Sequence, residues 1–195
     1  MGLIAFIPFR SGSTRLPKKN IKLLGGIPLT SWSLMAALRV NIFDKIILSS
    51  DSNEYLEIIV NSIKLRNEDK KKIIFDNRQE NFSNSKSKIF DYLKFGLSSN
   101  FAVNEDLVVQ LLPTCPFRDL NNLKKSIMMC KALNLPVFSC IEYDFRLKFA
   151  FLPIKNSFQP LFEDSPMVNG NTQSQSHLNY FHPCGSFNIF NMGYL

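Results

Sequence analysis

A chain of 195 residues, 45% hydrophobic and 20% charged with 18 phenylalanines, has the length of one domain with a small appendage and enough apolar surface for a core, which excludes an intrinsically disordered protein. Its 8 glycines and 10 prolines exclude collagen-like and low-complexity architectures. Lys and Arg number 23 against 16 Asp and Glu, a net charge of +7, which favours anionic partners: nucleic acid, a membrane surface or a phosphorylated small molecule.

Met1 to Pro8 is apolar but too short to span a membrane and lacks a basic leader, so the protein is expected in the cytoplasm. Within it, the unbroken apolar run Leu3 to Pro8 predicts a strand buried on both faces. Phe9 to Lys19 is polar and basic and reads as a loop. Thr30 to Leu38 predicts a helix with one apolar face, and Asp44 to Asp51 a second strand ending in small polar groups and a carboxylate. Ser52 or Asn53 is placed to cap a helix that carries Tyr55, Leu56, Ile58 and Ile59. The charged run Lys64 to Lys72 reads as a solvated helix end and turn. Ile73 to Phe75 predicts a third strand, Ser85 to Leu97 a helix, and Leu107 to Leu112 a fourth strand stopped by Pro113. Asp119 to Leu133 predicts a helix and Pro136 to Ile141 a fifth strand. Beyond Tyr143 the alternation fails until a last strand at Phe187 to Phe190. Strands alternating with helices imply right-handed βαβ units: an α/β fold with a mainly parallel sheet and helices on both faces.

Ligands of open α/β sheets bind at the carboxyl ends of the strands, and three segments there carry unusual chemistry. In Arg10-Ser11-Gly12-Ser13-Thr14-Arg15-Leu16-Pro17-Lys18-Lys19-Asn20, small residues allow backbone N–H groups to face an anion, and four cations add charge suited to a triphosphate. Neither a Walker A loop nor a dinucleotide fingerprint is present. The other two are Ser49-Ser50-Asp51-Ser52 and Leu112-Pro113-Thr114-Cys115-Pro116-Phe117-Arg118. Asp51 serves either a ligand or the next helix's start. Arg118 serves a ligand, a helix cap or a pair with Asp119, and Arg78 a nucleotide or a pair with Asp76. Cys115, Cys130, Cys140 and Cys184 form no C-x-x-C pair and read as inert thiols. His177 and His182 with Cys184 make a poor zinc set. The rings of Phe145, Phe149, Phe151, Phe158 and Phe162 have few cations among them, which favours packing over a nucleic-acid platform, and no nucleic-acid motif supports the charge.

In order and spacing, Leu3 to about Glu142 resembles the cytidylyltransferases that activate nonulosonic, sialic-like sugar acids. The resemblance lies in Phe6 to Ile21 with its Arg, Gly/Ser loop and Lys19-Asn20 close, in Gly26-Ile27-Pro28-Leu29, and in Ala36-Ala37-Leu38. It continues through Phe43-Asp44, Ser49-Ser50-Asp51-Ser52, Arg78 and Pro113-Thr114-Cys115-Pro116-Phe117-Arg118. Cys140 to Phe145, Thr172-Gln173-Ser174-Gln175 and Phe181 to Phe187 look closest to the enzymes of pseudaminic-type acids.

The resemblance implies a Rossmann-like nucleotidyltransferase fold formed by residues 1–195 as one domain, with 145–180 inserted as a dimerisation and sugar-binding arm. It implies CTP and a nine-carbon sugar acid as substrates, Mg²⁺ as cofactor, a homodimer, and no nucleic-acid or membrane partner. Arg10 and Lys19 are the expected catalytic cations. Arg10, Ser11, Gly12, Ser13, Arg15, Lys19, Asn20, Asp51, Arg78, Pro113 and Thr114 are expected at the nucleotide, with Lys18 a further phosphate-tracking cation, and Gln173, Gln175, His182 and Gly185 at the sugar acid. This chain departs from the family in Leu112 where a Gln is common, Gln173 where an Arg is expected, and Cys184 where the sialic type has Asn. The family's metal-binding Asp-x-Asp segment is expected past Leu195, so metal ligands stay unassigned. The alternative is an impaired or truncated relative that keeps the nucleotide-binding fold without turnover.

Overall fold

A computed structural model describes residues 1–83, 87–171, 173 and 178–195. The chain forms two compact units: residues 1–139 with 185–195, and residues 140–184. The second unit thus begins before and ends after the expected 145–180 insertion.

The first unit is built on strands β1 (Leu3–Pro8), β4 (Lys45–Ser50), β5 (Ile73–Asn77) and β6 (Leu107–Gln110). With β10 (Phe181–Asn191) and β7 (Val137–Glu142) they make one sheet in the order β5-β4-β1-β6-β10-β7. The β5–β4, β4–β1 and β1–β6 pairings are parallel, and β10 runs antiparallel to β6. A two-residue hairpin, β2 (Leu23–Leu24) with β3 (Ile27–Pro28), turns through Gly25 and Gly26, both at positive φ.

Side chains of a strand alternate between faces, and the apolar strands feed two cores. On one face Ala5, Ile7, Ile46, Leu48, Val109 and Leu111 pack against α1 (Leu29–Val40), α2 (Asn53–Asn61) and α6 (Leu120–Leu133). On the other, Ile4, Phe6, Ile47 and Val108 pack against Tyr92, Leu93 and Leu97. Those three lie on a helix that starts as α4 (Ile89–Asp91), widens into a π-helical stretch at Tyr92–Leu97 and closes as α5 (Ser98–Asn100). It begins later than the Ser85 start expected, and residues 84–86 lie outside the described residues.

Local chemistry sets the helix ends. Ser52 Oγ accepts from Tyr55 N at 3.3 Å, capping α2, and Asp119 Oδ1 accepts from Asn121 N and Asn122 N at 2.8 and 3.0 Å, capping α6. Asn41 and Asn134 close α1 and α6 in the left-handed region, φ 53° and 49°. The charged run 64–72 forms α3 (Asn67–Lys72), with Arg66 Nε donating to Asp69 Oδ2 at 2.9 Å.

The second unit holds an antiparallel hairpin of β8 (Phe151–Ile154) and β9 (Ser157–Pro160), and α7 (Pro166–Asn169). Neither hairpin strand nor α7 has a counterpart in the sequence reading, and the last strand is longer than Phe187–Phe190. Among the described residues no helix is long and apolar enough to cross a membrane.

Candidate functional site

A cleft of about 650 Å³ opens where β1 ends at Pro8 and where Leu112-Pro113-Thr114 follows β6. That is the place an open α/β sheet offers a ligand, and the size suits a small molecule. Arg10, Arg15, Lys19 and Arg78 line it, and no Asp or Glu stands among its described lining residues. Four cations on one lining gather positive potential in the cleft, the condition for holding a polyphosphate.

The basic loop is built around its own backbone. Ser11 N donates to Asp51 Oδ1 at 2.8 Å and Ser11 Oγ to Asp51 Oδ2 at 3.0 Å. Ser13 N donates to Ser11 O at 2.9 Å. Two of the amides expected to face an anion are therefore bonded within the protein. Asn20 is buried, donates from Nδ2 to Arg10 O at 2.7 Å, and has its own carbonyl accept from Thr30 Oγ1 at 2.9 Å. Thr30 on α1 thus fixes Asn20, and Asn20 fixes the backbone of Arg10. Lys18 takes the left-handed conformation, φ 55°, that starts the 3₁₀ turn Lys19–Ile21.

Arg78 follows β5 and is 6% exposed. Its Nη2 donates to Phe9 O at 2.6 Å, its Nε has no partner among the described residues, and its carbon centre lies 5.5 Å from the centroid of the Tyr92 ring. The ion pairs among the described residues do not join it to Asp76, whose Oδ2 instead accepts from the Tyr92 hydroxyl. Burial pulls the Arg78 guanidinium below its ordinary value and pushes the Tyr92 phenol up, the latter helped by Asp76.

Arg118, left open between ligand, cap and ion pair, directs its guanidinium at internal acceptors, and among the described residues it forms no ion pair with Asp119. Its Nε donates to Ser186 O at 2.6 Å, its Nη1 to Ser33 Oγ at 2.9 Å and its Nη2 to Leu112 O. It ties α1, β10 and the segment after β6 together, and burial lowers it to about 10. Trp32, the single tryptophan, donates Nε1–H to Leu24 O at 3.1 Å and meets the edge of Phe117 at 5.7 Å between ring centroids.

Of the expected nucleotide residues, Arg10, Ser13, Arg15, Lys19, Asn20, Arg78, Pro113 and Thr114 come together on the cleft. Asp51 supports the loop through Ser11 and leaves capping to Ser52, while Ser11 and Gly12 are not among the lining residues. Gly185, at φ +72°, lies beside Leu112 of the cleft wall, where an added Cβ would meet Leu112 Cδ1 at 3.1 Å. Gln173 is exposed in the second unit. His182, also there, packs against Tyr143 with 4.6 Å between ring centroids. Gln175 and His177 lie outside the described residues. Phe82 and Ser83 have no place in the sequence reading, and Ser87 and Tyr92 enter it only within the expected helix Ser85–Leu97, Tyr92 on its apolar face, with no role at a site.

The profile of the cytidylyltransferase family matches residues 4–134. A pseudaminic acid cytidylyltransferase of Campylobacter jejuni subsp. jejuni serotype O:23/36 (strain 81-176) is 28% identical over 186 residues, 94% of this chain and 76% of that protein. The CMP-N,N'-diacetyllegionaminic acid synthase of Legionella pneumophila subsp. pneumophila (strain Philadelphia 1) is 33% identical over 144 residues, 71% of this chain and 57% of that protein. Among solved structures, a CMP:2-keto-3-deoxy-manno-octonic acid synthetase complexed with CTP superimposes with a TM-score of 0.65. It is 16% identical, with 98% of this chain and 75% of that one covered, a likeness of fold.

Proposed function

Because the chain belongs to the cytidylyltransferase family, we propose that it couples CTP to a nonulosonic sugar acid, giving the CMP-sugar and pyrophosphate. The observation that carries the proposal is the family match itself, which falls on the residues that build the cationic cleft. The relatives named for pseudaminic and legionaminic acid support the substrate class.

In this reaction the anomeric hydroxyl oxygen of the sugar acid bonds to the α-phosphorus of CTP. The bond from that phosphorus to the bridging oxygen breaks, pyrophosphate leaves with the electron pair, and the hydroxyl proton passes to solvent. Negative charge grows on phosphate oxygens, so fixed cations lower the barrier. We assign that role to Arg10 and Lys19. Arg10 is held by Asn20 through its backbone, and Arg15 and Arg78 on the cleft, with Lys18 in the loop outside its lining, complete the field around the nucleotide. Ser11, Gly12, Ser13 and Asp51 keep the loop in place, and Pro113 and Thr114 form the opposite wall.

Mg²⁺ takes oxygen ligands, one or two of them carboxylates. The described cleft lining has none, and both Asp51 oxygens accept from Ser11. The described residues of the cleft therefore do not make a protein-held Mg²⁺ site, and in this reading they act on the nucleotide directly. Gln173, Gln175, His182 and Gly185 are assigned to the sugar acid on the resemblance alone. The exposed hairpin rings Phe151 and Phe158, with Phe145, support a homodimer through the second unit.

Titration calorimetry with CTP and then ATP, each with Mg²⁺, is the first test. Selective CTP binding, followed by pyrophosphate release with a panel of nonulosonic acids, is the expected result. Binding without release from any acid leaves a nucleotide-binding relative, and absence of CTP binding overturns the proposal.

A further inference from the structure

Resting on the nucleotide reading above, we propose that Tyr92 is a positioning residue: its ring holds the Arg78 guanidinium in the cleft wall, and through Arg78 it sets the affinity for the nucleotide. Arg78 is the one lining cation that is buried, so its direction is fixed by what surrounds it. Its backbone N–H donates to Ser50 O at 2.6 Å and its Nη2 to Phe9 O at 2.6 Å. Its guanidinium carbon lies over the Tyr92 ring, 5.5 Å from the centroid, and both residues are buried, the setting where such a contact is strongest. Its Nε–H is a buried donor with no partner among the described residues. With that donor enclosed, the bond to Phe9 O and the Tyr92 ring are what hold the side chain where it lines the cleft.

Tyr92 is itself locked on every side. Its ring stacks on Phe6 with 5.9 Å between centroids and meets Phe82 edge-on at 5.4 Å, and its hydroxyl donates to Asp76 Oδ2. Phe82 also lines the cleft. The place for the ring depends on Gly96: a Cβ there would lie 2.3 Å from Tyr92 Cε2. The π-helical stretch Tyr92–Leu97 contains both residues, and such stretches recur at functional sites. Packing alone does not explain why a buried phenol, a buried carboxylate and a one-sided guanidinium are kept together here instead of apolar side chains.

The test is CTP titration with Mg²⁺, with melting temperatures, on the wild type, Tyr92→Leu, Tyr92→Phe, Arg78→Lys and the Tyr92→Leu/Arg78→Lys double variant. Tyr92→Leu and Arg78→Lys are each expected to weaken CTP binding about tenfold, the scale of one desolvated cation–ring contact. The double variant should bind no more weakly than Arg78→Lys, and Tyr92→Phe, which keeps the ring, should recover most of the affinity. If Tyr92→Leu does not fold, Gly96→Ala keeps the phenol but displaces it, and weaker CTP binding with an unchanged circular dichroism spectrum is expected. Wild-type affinity in Tyr92→Leu or in a folded Gly96→Ala, or losses that multiply in the double variant, overturn the positioning role while leaving CTP binding intact. A wild-type chain that does not bind CTP overturns the nucleotide reading and this inference with it.

Discussion

Arg118 carries a charge into the interior and is matched there by three acceptors from three segments. Its folded value of about 10 lies below the ordinary 12.5, so burying the charged form costs stability at every pH below about 10, and the three bonds offset that cost. Arg118→Lys keeps the charge and loses the fork, so it should destabilise the protein by about 2–3 kcal/mol in urea unfolding. Tyr92 has the opposite sign: its folded value is raised above about 10, so its contribution is complete below that pH and fades as pH rises through the folded value. Between about pH 9 and pH 11 the wild type should lose stability that Tyr92→Phe does not, read as the change in urea midpoint. Asp51→Ala should weaken CTP binding severalfold with a small change in melting temperature, since Asp51 touches the loop and not the core. At this scale the Arg10–Asn20 loop is legible because its residue types state their chemistry. Tyr92 is not, because a tyrosine at helical spacing looks like any core ring, and its link to Arg78 crosses from a strand end to a helix.

The elements read best where both faces are buried. All six residues of β1 are buried, so its apolar run has no competing interpretation. The α1 helix is anchored by Leu34, fully buried among the strands of its face, and Leu34→Ala should cost about 2–5 kcal/mol in thermal or urea unfolding. The β8–β9 hairpin escapes sequence reading because its strands are exposed, show no in-and-out alternation, and contain Pro153 and Pro160. The start of β10 is hidden for a similar reason: Pro183 and Gly185, the latter at positive φ, interrupt the pattern before Phe187. At the amino end of α3, Arg66 holds the Asp69 carboxyl below its ordinary range. That contribution is present above about pH 4 and is lost as pH falls further, and Asp69→Asn should flatten the acid limb of the stability profile.

For the whole molecule, a net charge of +7 and a carboxylate-free cleft tie ligand binding to ionic strength. Raising salt from about 0.1 M to about 1 M shortens the screening length from about 10 to about 3 Å and should weaken CTP binding several-fold while leaving the melting temperature nearly unchanged. The exposed rings of the second unit predict a dimer in sedimentation, which Phe158→Glu should shift towards monomer. The sheet order and the division at residues 140–184 follow from pairings distant in sequence, which no local pattern announces.

Trp32 gives this chain an intrinsic optical gauge. Its indole N–H is tied to the hairpin just beyond the basic loop, and its ring touches Phe117, three residues past the cleft residue Thr114. With no second tryptophan to dilute the signal, any shift of either loop during ligand capture alters one emission band. The time course of capture and release is therefore open to stopped-flow fluorescence on the unlabelled protein.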